Sequence, residues 1–563
     1  MEGNGRQITD YVKTYPMTYS NKKNVLQLAA LLQAFGIRHI VLSSGARNAP
    51  LAHTFAAHPF FICHLVVDER SAAFYALGVI DSIGESAAIC CTSGTAALNY
   101  APAVAEAFYR QLPLVVITAD RPEALLGQMD NQVIPQRGVF GALVRKSVQL
   151  PEITTPDDEW YCNRLINEAL LETDHHGKGP VHINVPLSEP LFEYSETTLP
   201  TVRKINRHTE TASCAKRFPT FAKRMIIAGQ MPPDNGLKEA LKILAEKYAC
   251  AVLAEHPSNL RSSAFVWNFD ALLGALTDAE QSSYAPDLLI SVGGQVVSKR
   301  VKQFLRTHPP KEHWLVNPTG NVSDPYHHLT DVIESDALRF LETLTRNATG
   351  VTAQGNAYSA LWKRRLDAIP VPQPAYSDLA AVKALMQALP DGCALHLANS
   401  SSVRFAQLFP LKATVHTFSN RGTSGIDGCL STAAGYAAVN NRLTFLLTGD
   451  LAFFYDMNGL WNRQISGNLR ILLNNNGGGE IFCTLPKFDH TCPTEQYTMA
   501  RHSATAQAWA ETTGFTYLRA SNDEELQRQI PILTGTASDK PILLEVLTEM
   551  DENIASARLF KLF

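Results

Sequence analysis

Long apolar runs are missing from this 563-residue chain. None approaches the roughly 18 residues that a membrane-spanning helix needs. A strong charge of one sign is missing as well. Lys and Arg number 49 against 53 Asp and Glu, a net charge of −4. No polyanion-binding surface is advertised, and no nucleic-acid partner is expected. Cysteine pairs are scarce. Ten cysteines are scattered singly apart from Cys90-Cys91, and no C-x-x-C occurs. Neighbours on a strand face opposite ways, so that pair reads as core. Reduced thiols in a cytoplasmic protein are expected. The opening MEGNGRQITDYVKTYP carries acids and no apolar core region, so it does not read as a secretory signal. Residues 1–16 are expected to be an extension, with structure starting near Met17.

What is present is alternation of strand and helix. The length suits about three domains. Residues 25–35 read as an apolar helix stopped by Gly36. Strands are expected at 39–42, 64–67, 87–92, 114–118 and 181–185, each followed by a helical or loop segment. This is the pattern of a parallel α/β domain. Residues 187–222 are mixed and polar, like a linker. A second α/β pattern has strands at 225–228, 251–254, 288–292 and 314–316. Its Gly293-Gly294 is by itself a weak dinucleotide-like signal. Residues 345–375 read as a second linker. A third pattern has strands at 394–398 and 414–418.

The densest chemistry lies in residues 449–482. A buried strand is expected at 443–448, ending in Gly449-Asp450. Apolar residues at 451, 454, 457, 460, 461 and 465 follow at helical spacing. A second strand, 469–473, runs into Asn474-Asn475-Asn476-Gly477-Gly478-Gly479. A carboxylate, neutral amides and glycine carbonyls at the carboxyl ends of parallel strands are oxygen ligands suited to Mg²⁺ bridging a diphosphate. The plain alternative is a Gly-Asp turn and a flexible Asn/Gly loop.

GDL, a helix, a strand and NNxGGxIF followed by Leu485-Pro486 resemble the signature of thiamine-diphosphate enzymes. Within them the motifs resemble the 2-succinyl-5-enolpyruvyl-6-hydroxy-3-cyclohexene-1-carboxylate synthases of menaquinone biosynthesis. The resemblance runs from about Met17 to the end. SGARNAPL, DERSAAFYALG, TADRP, VSKR, NS-x-x-x-R and SNRG-x-SGIDG fall in family order. It implies three doubly wound parallel-sheet domains. These are a pyrimidine-binding domain (17–197), a central domain (198–350) and, after a linker (351–375), a diphosphate-binding domain (376–563).

The resemblance also implies roles. Glu69 would hydrogen-bond N1′ of the aminopyrimidine as the catalytic acid. Without the family it is a helix-start acid favoured by the helix dipole. Asp450, Asn476 and the Gly478 carbonyl would hold Mg²⁺ or Mn²⁺. The third asparagine leaves a second register open, with Asn475 and Gly477. Gly449, Leu451, Ala452, Ser400 and Ile481 would contact thiamine diphosphate, and Ile426 would bend it. The implied substrates, 2-oxoglutarate and isochorismate, are dicarboxylates, which Arg holds bidentately. Arg47, Arg121, Asn131, Gln132, Lys299, Arg300, Ser400, Arg404 and Arg421 would bind them, with Ile481, Phe482 and Leu485 as an apolar wall. A homodimer or homotetramer with sites between chains is implied. Three residues depart from the pattern: Ala46 and Ala452 stand where Ser is usual, and Glu480 adds an acid to the metal loop. They keep two rivals open: another thiamine-diphosphate carboligase or decarboxylase, and a weakly active paralogue.

Overall fold

The computed structural model describes residues 17–209, 212–347, 356–461, 465–484, 488, 492–536 and 538–559. Residues 1–16, part of the expected linker (348–355) and Leu485-Pro486 lie outside the described residues. The chain divides after Arg207 into two compact units.

The first unit is built on six parallel strands. Their order across the sheet is Ile62–Leu65, His39–Leu42, Ala87–Cys91, Leu114–Asp120, Val181–Pro186 and Ser147–Gln149. The central strands are buried along their whole length, as in a sheet covered on both faces. The edge strand begins two residues earlier than the apolar run suggests. Its register on His39–Leu42 pairs Leu42 with Leu65, and its outer side stays exposed. The Glu69–Ile83 helix starts where Asp68 accepts the Ser71 N–H. It ends at Gly84, whose φ of 72° needs glycine.

The second unit holds two further sheets. One orders its strands Asp331–Ile333, Glu312–Val316, Leu288–Val292, Arg224–Ala228 and Ala251–Ala254, all parallel. The other runs His416–Phe418, Ala394–Leu397, Thr444–Gly449, Leu469–Asn475, Ile542–Leu547 and Thr516–Ala520. This last sheet repeats the strand permutation of the first. The strands at 147–149, 331–333, 516–520 and 542–547 escape sequence reading.

Several boundaries differ from expectation. The Leu469–Asn475 strand absorbs Asn474 and Asn475, since its backbone is paired on both sides, to Gly449 and to Leu547. The helix expected to reach residue 465 is only Asp450–Asp456, followed by a 3-10 turn over Met457–Leu460. Gly459 lies so close to Ser431 that a β-carbon would meet its Oγ at 2.3 Å. Trp461 is 77% exposed, not part of an apolar face. The segments read as linkers carry structure too. Residues 187–222 include a short strand (Asn206–His208) and a helix (Ala212–Arg217). The Asn356–Asp367 helix buries Tyr358, Trp362 and Leu366 in the core beside the 225–289 strands. Trp362 is fully buried. Trp362→Ala should therefore lower stability by about 3–5 kcal/mol, read from urea unfolding.

Candidate active site

In the last sheet the chain lays down 394–397, moves outward to 416–418, then returns to place 444–449 on the other side. Open parallel sheets bind ligands beyond the strand ends at such a reversal. A cavity of about 140 Å³ lies there. Asn399, Ser400 and Ile426 line one side. Gly449 to Ala452 and the Asn474–Phe482 loop line the other, with Asp378. The expected residues Ser400, Ile426, Gly449, Asp450, Leu451, Ala452, Asn476, Gly478, Ile481 and Phe482 are thus brought together; Leu485 lies outside the described residues.

Asp450 is 3% exposed and ties the two strand ends. Its Oδ1 accepts the Leu451 N–H at 2.6 Å. Its Oδ2 accepts N–H groups of Asn476, Gly477 and Gly478 at 3.2, 2.8 and 3.0 Å. His502 Nε2 stands 3.4 Å from the same oxygen. Gly478 has φ +152°, and a β-carbon there would meet the Met499 carbonyl at 2.8 Å, so no other residue fits.

The three asparagines have separate fates. Asn475 turns away from the cavity; its Nδ2 donates to Glu545 Oε1 at 2.7 Å and to the Ala504 carbonyl at 2.9 Å. Asn474 Nδ2 donates to the Asp378 carbonyl at 3.3 Å. Asn476 Nδ2 donates to Asp378 Oδ2 at 2.8 Å and Glu480 Oε2 at 2.7 Å. That leaves Asn476 Oδ1 buried without a hydrogen bond. An unused amide oxygen, a carboxylate and a glycine-rich turn form an oxygen donor set that fits a hard divalent cation.

Glu480 does not point to solvent. It is 5% exposed. Burial, then the neighbouring Asp378, pushes its carboxyl up to about 9. Burial raises Asp378 to about 6, against the Thr548 hydroxyl bond at 2.6 Å. Asp450 is raised by burial too. Glu480 is therefore a neutral acceptor for Asn476 at neutral pH in the ligand-free protein.

Two arginines of this unit bond to residues that line the cavity. Arg421 is buried; its Nη1 donates to Asn399 Oδ1 at 2.8 Å, and Asn399 Nδ2 holds the carbonyls of Asn420 and Gly425. Arg404 Nη1 donates to the Ser400 carbonyl at 2.8 Å. Ser400 takes φ +69° to turn from strand to helix. Burial lowers the basicity of both arginines. Lys299 is exposed at the start of the Lys299–Thr307 helix. Arg300 differs from expectation in being ion-paired with Asp270 at 2.9 Å.

In the first unit Glu69 is half-buried at the first turn of its helix. Arg47 is buried, donating to the Leu187 carbonyl at 2.8 Å and pairing with Glu189 at 2.9 Å. Arg121 pairs with Asp130 at 3.2 Å. Asn131 and Gln132 are exposed, and the Gln132 backbone packs on Gly94. Ala46 is exposed beside Gly45, which sits directly on Thr92. Sequence reading misses the buried network behind Arg121. Asn184 Nδ2 donates to Asp120 Oδ2 at 2.8 Å, and Gln136 joins Asn184 to the Gly94 N–H. Asp378 escapes it likewise, because its partners Asn476 and Thr548 come from distant segments.

Two family models match the chain: the thiamine pyrophosphate enzyme N-terminal TPP-binding domain over residues 25–141, and the middle domain of thiamine pyrophosphate enzymes over residues 187–396. With the cavity at the strand reversal, they define a thiamine diphosphate enzyme. The curated relatives narrow this. A 2-succinyl-5-enolpyruvyl-6-hydroxy-3-cyclohexene-1-carboxylate synthase of Bacteroides thetaiotaomicron is 50% identical over 553 residues, covering 96% of this chain and 98% of the relative. Synthases of the same name from Phocaeicola vulgatus and Porphyromonas gingivalis are 48% and 37% identical, over 96% and 95% of this chain and 98% and 96% of theirs. The chain belongs to this synthase family.

The Asn476–Glu480 contact has a measurable consequence. Glu480→Gln keeps an acceptor for Asn476 and should leave the thiamine diphosphate dissociation constant within about three-fold. Glu480→Ala frees Asn476 and should raise it by about ten-fold. Quenching of intrinsic fluorescence on cofactor titration reads both.

Proposed function

We propose that the protein decarboxylates 2-oxoglutarate and adds the resulting four-carbon unit to isochorismate, giving 2-succinyl-5-enolpyruvyl-6-hydroxy-3-cyclohexene-1-carboxylate for menaquinone biosynthesis. The named relatives support the reaction. The observation that carries the assignment of the site is the unpartnered Asn476 Oδ1 beside Asp450 in a cavity at the strand reversal. Asp450, Asn476 Oδ1 and the Gly478 carbonyl hold Mg²⁺ or Mn²⁺, all hard oxygen donors. Bound thiamine diphosphate supplies an electron sink for the pair released as CO₂ leaves.

The chain's own residues do the rest. Glu69 holds a proton at the aminopyrimidine N1′, which sets the tautomer of that ring. Gly449, Leu451 and Ala452 would bring backbone to the cofactor, and Ile426 would press an apolar side chain against it. Arg404, Arg421 and Ser400, with Lys299 and Arg300, fix substrate carboxylate in the second unit. Arg47, Arg121, Asn131 and Gln132 do so in the first. Ile481 and Phe482 give an apolar wall that excludes water from the reacting carboxylate.

A homodimer or homotetramer completes the proposal. Leu65, Val67, Phe74 and Tyr75 are 72, 68, 44 and 47% exposed around Glu69, an apolar patch suited to a second chain. Among the described residues no helix is long and apolar enough to cross a membrane, which is compatible with a cytoplasmic enzyme.

The test is CO₂ release and isochorismate consumption by pure protein with thiamine diphosphate, Mg²⁺ and 2-oxoglutarate. Adduct should form only with all components. Glu69→Gln should lower kcat by about 100-fold or more. CO₂ release without isochorismate uptake would mean another acceptor. No turnover despite cofactor binding would mean a weakly active paralogue. Asp450→Asn should abolish metal-dependent cofactor binding while the fold, read by circular dichroism, is kept. Sedimentation should show two or four chains.

A further inference from the structure

Within the second unit the middle sheet meets the last sheet through polar contacts, some at the surface and some buried. Gln295 Nε2 donates to the Gly422 carbonyl at 2.8 Å, beside Arg421. The His256 N–H donates to Gln407 Oε1 at 2.9 Å, and its Nε2 lies 3.0 Å from the Phe409 carbonyl. Glu255, at the end of the Ala251–Ala254 strand, sits in this junction and is 3% exposed.

Each Glu255 oxygen takes one backbone N–H. Val297 donates to Oε2 at 2.7 Å and Ser298 to Oε1 at 2.8 Å. These two residues immediately precede Lys299. Ser298 also caps the Lys299–Thr307 helix, its Oγ accepting the Val301 N–H at 3.1 Å and donating to Asp270. Glu255 forms no direct ion pair among the described residues. The charged and titratable groups that act on it come from every neighbouring element: Asp270, Arg421, Arg404, Lys302 and the Tyr326 hydroxyl. His256 stays neutral near pH 7, because burial pushes it down to about 3. Among the described residues the Arg404 and Arg421 guanidinium groups have a carbonyl and an amide oxygen as hydrogen-bond partners. Glu255 acts on both of them through space, and Asp270 acts on Arg404 as well.

We infer that Glu255 is a positioning residue that sets the strength of the substrate-anion site. It fixes the Val297-Ser298 turn ahead of Lys299, and its charge opposes dicarboxylate binding at Arg404 and Arg421. The inference rests on the reading that these arginines take substrate carboxylate. A second anion beside a buried carboxylate favours protonation of that carboxylate. Burial already brings Glu255 to about 7, with the two amide bonds and Arg421 opposing the rise and Asp270 adding to it. The sign follows. Below pH 7 Glu255 is neutral and the cation cluster attracts dicarboxylate more strongly. Above it the carboxylate ionises and the attraction weakens.

The test uses full-length protein loaded with thiamine diphosphate and Mg²⁺, with glutarate as an unreactive probe. Calorimetry at pH 7 in two buffers of different ionisation enthalpy should show net proton uptake when glutarate binds. In turnover, KM for 2-oxoglutarate should rise about three- to ten-fold from pH 6 to 8. In Glu255→Gln the uptake should vanish, and KM should stay near its low-pH value across the range. The amide keeps one acceptor for the Val297-Ser298 turn and removes a buried charge. A merely structural role would change kcat or stability without moving the pH profile. Glutarate binding by wild type with no proton uptake overturns the inference, whatever the variant does. A variant whose KM follows the wild-type pH profile overturns it too. Glutarate binding with uptake but no turnover upholds the anion site and removes the proposed reaction instead.

Discussion

Four backbone N–H groups converge on the carboxylate of Asp450, and this clasp holds the cavity end of the last sheet together. One comes from the helix that follows Gly449, and three from the glycine-rich turn after Asn475. Parallel strands align their carboxyl ends but leave the loops beyond them unpaired. Asp450 supplies acceptors for those loops, so the strand pairing of Gly449 with Asn474 continues as side-chain bonding. Asn475 is fixed from behind by Glu545, which also accepts the Tyr517 hydroxyl at 2.7 Å. Asn474 and Asn476 are left to line the cavity, each with an Oδ1 that has no hydrogen bond.

This clasp explains how a site rich in acid can be buried. Asp450 raises the proton affinity of Asp378, and both raise that of Glu480, on top of burial. Like carboxylates in a dry site cannot all be ionised without a cation. Protonation of Glu480 relieves the strain in the ligand-free protein. An acid that looks disruptive from its place in the loop thus serves as a hydrogen-bond acceptor for Asn476.

The middle sheet contributes position rather than a cofactor loop. Glu255 and Asp270 fix the turn that launches Lys299, while Gln295 and Gln230 hold the carbonyls of Gly422 and Ser419 on either side of Arg421. Arg404 and the buried Arg421 are balanced through space rather than by tight pairs among the described residues. Such an arrangement leaves their forks available for planar anions.

The amino-acid pattern alone determined much of this. Periodicity placed most of the buried parallel strands, though not 542–547, because strands covered on both faces are largely apolar and differ sharply from loops. Motif order carried the thiamine diphosphate class, since Gly-Asp and the Asn/Gly turn are local and their spacing is set by one helix and one strand. Local signals failed at edge strands such as Ile62–Leu65, which bury too little to stand out. They failed again in the 356–367 helix, whose apolar face is legible only against the core that covers it. Tertiary structure alone decided which asparagine turns away from the cavity, since Glu545 and the Ala504 carbonyl hold Asn475 from behind. It alone turned Glu480 inward, tied Arg300 to Asp270, and set Glu255 opposite two arginines more than 140 residues further along the chain. Charge and burial act through space, and spacing in a sequence does not encode them.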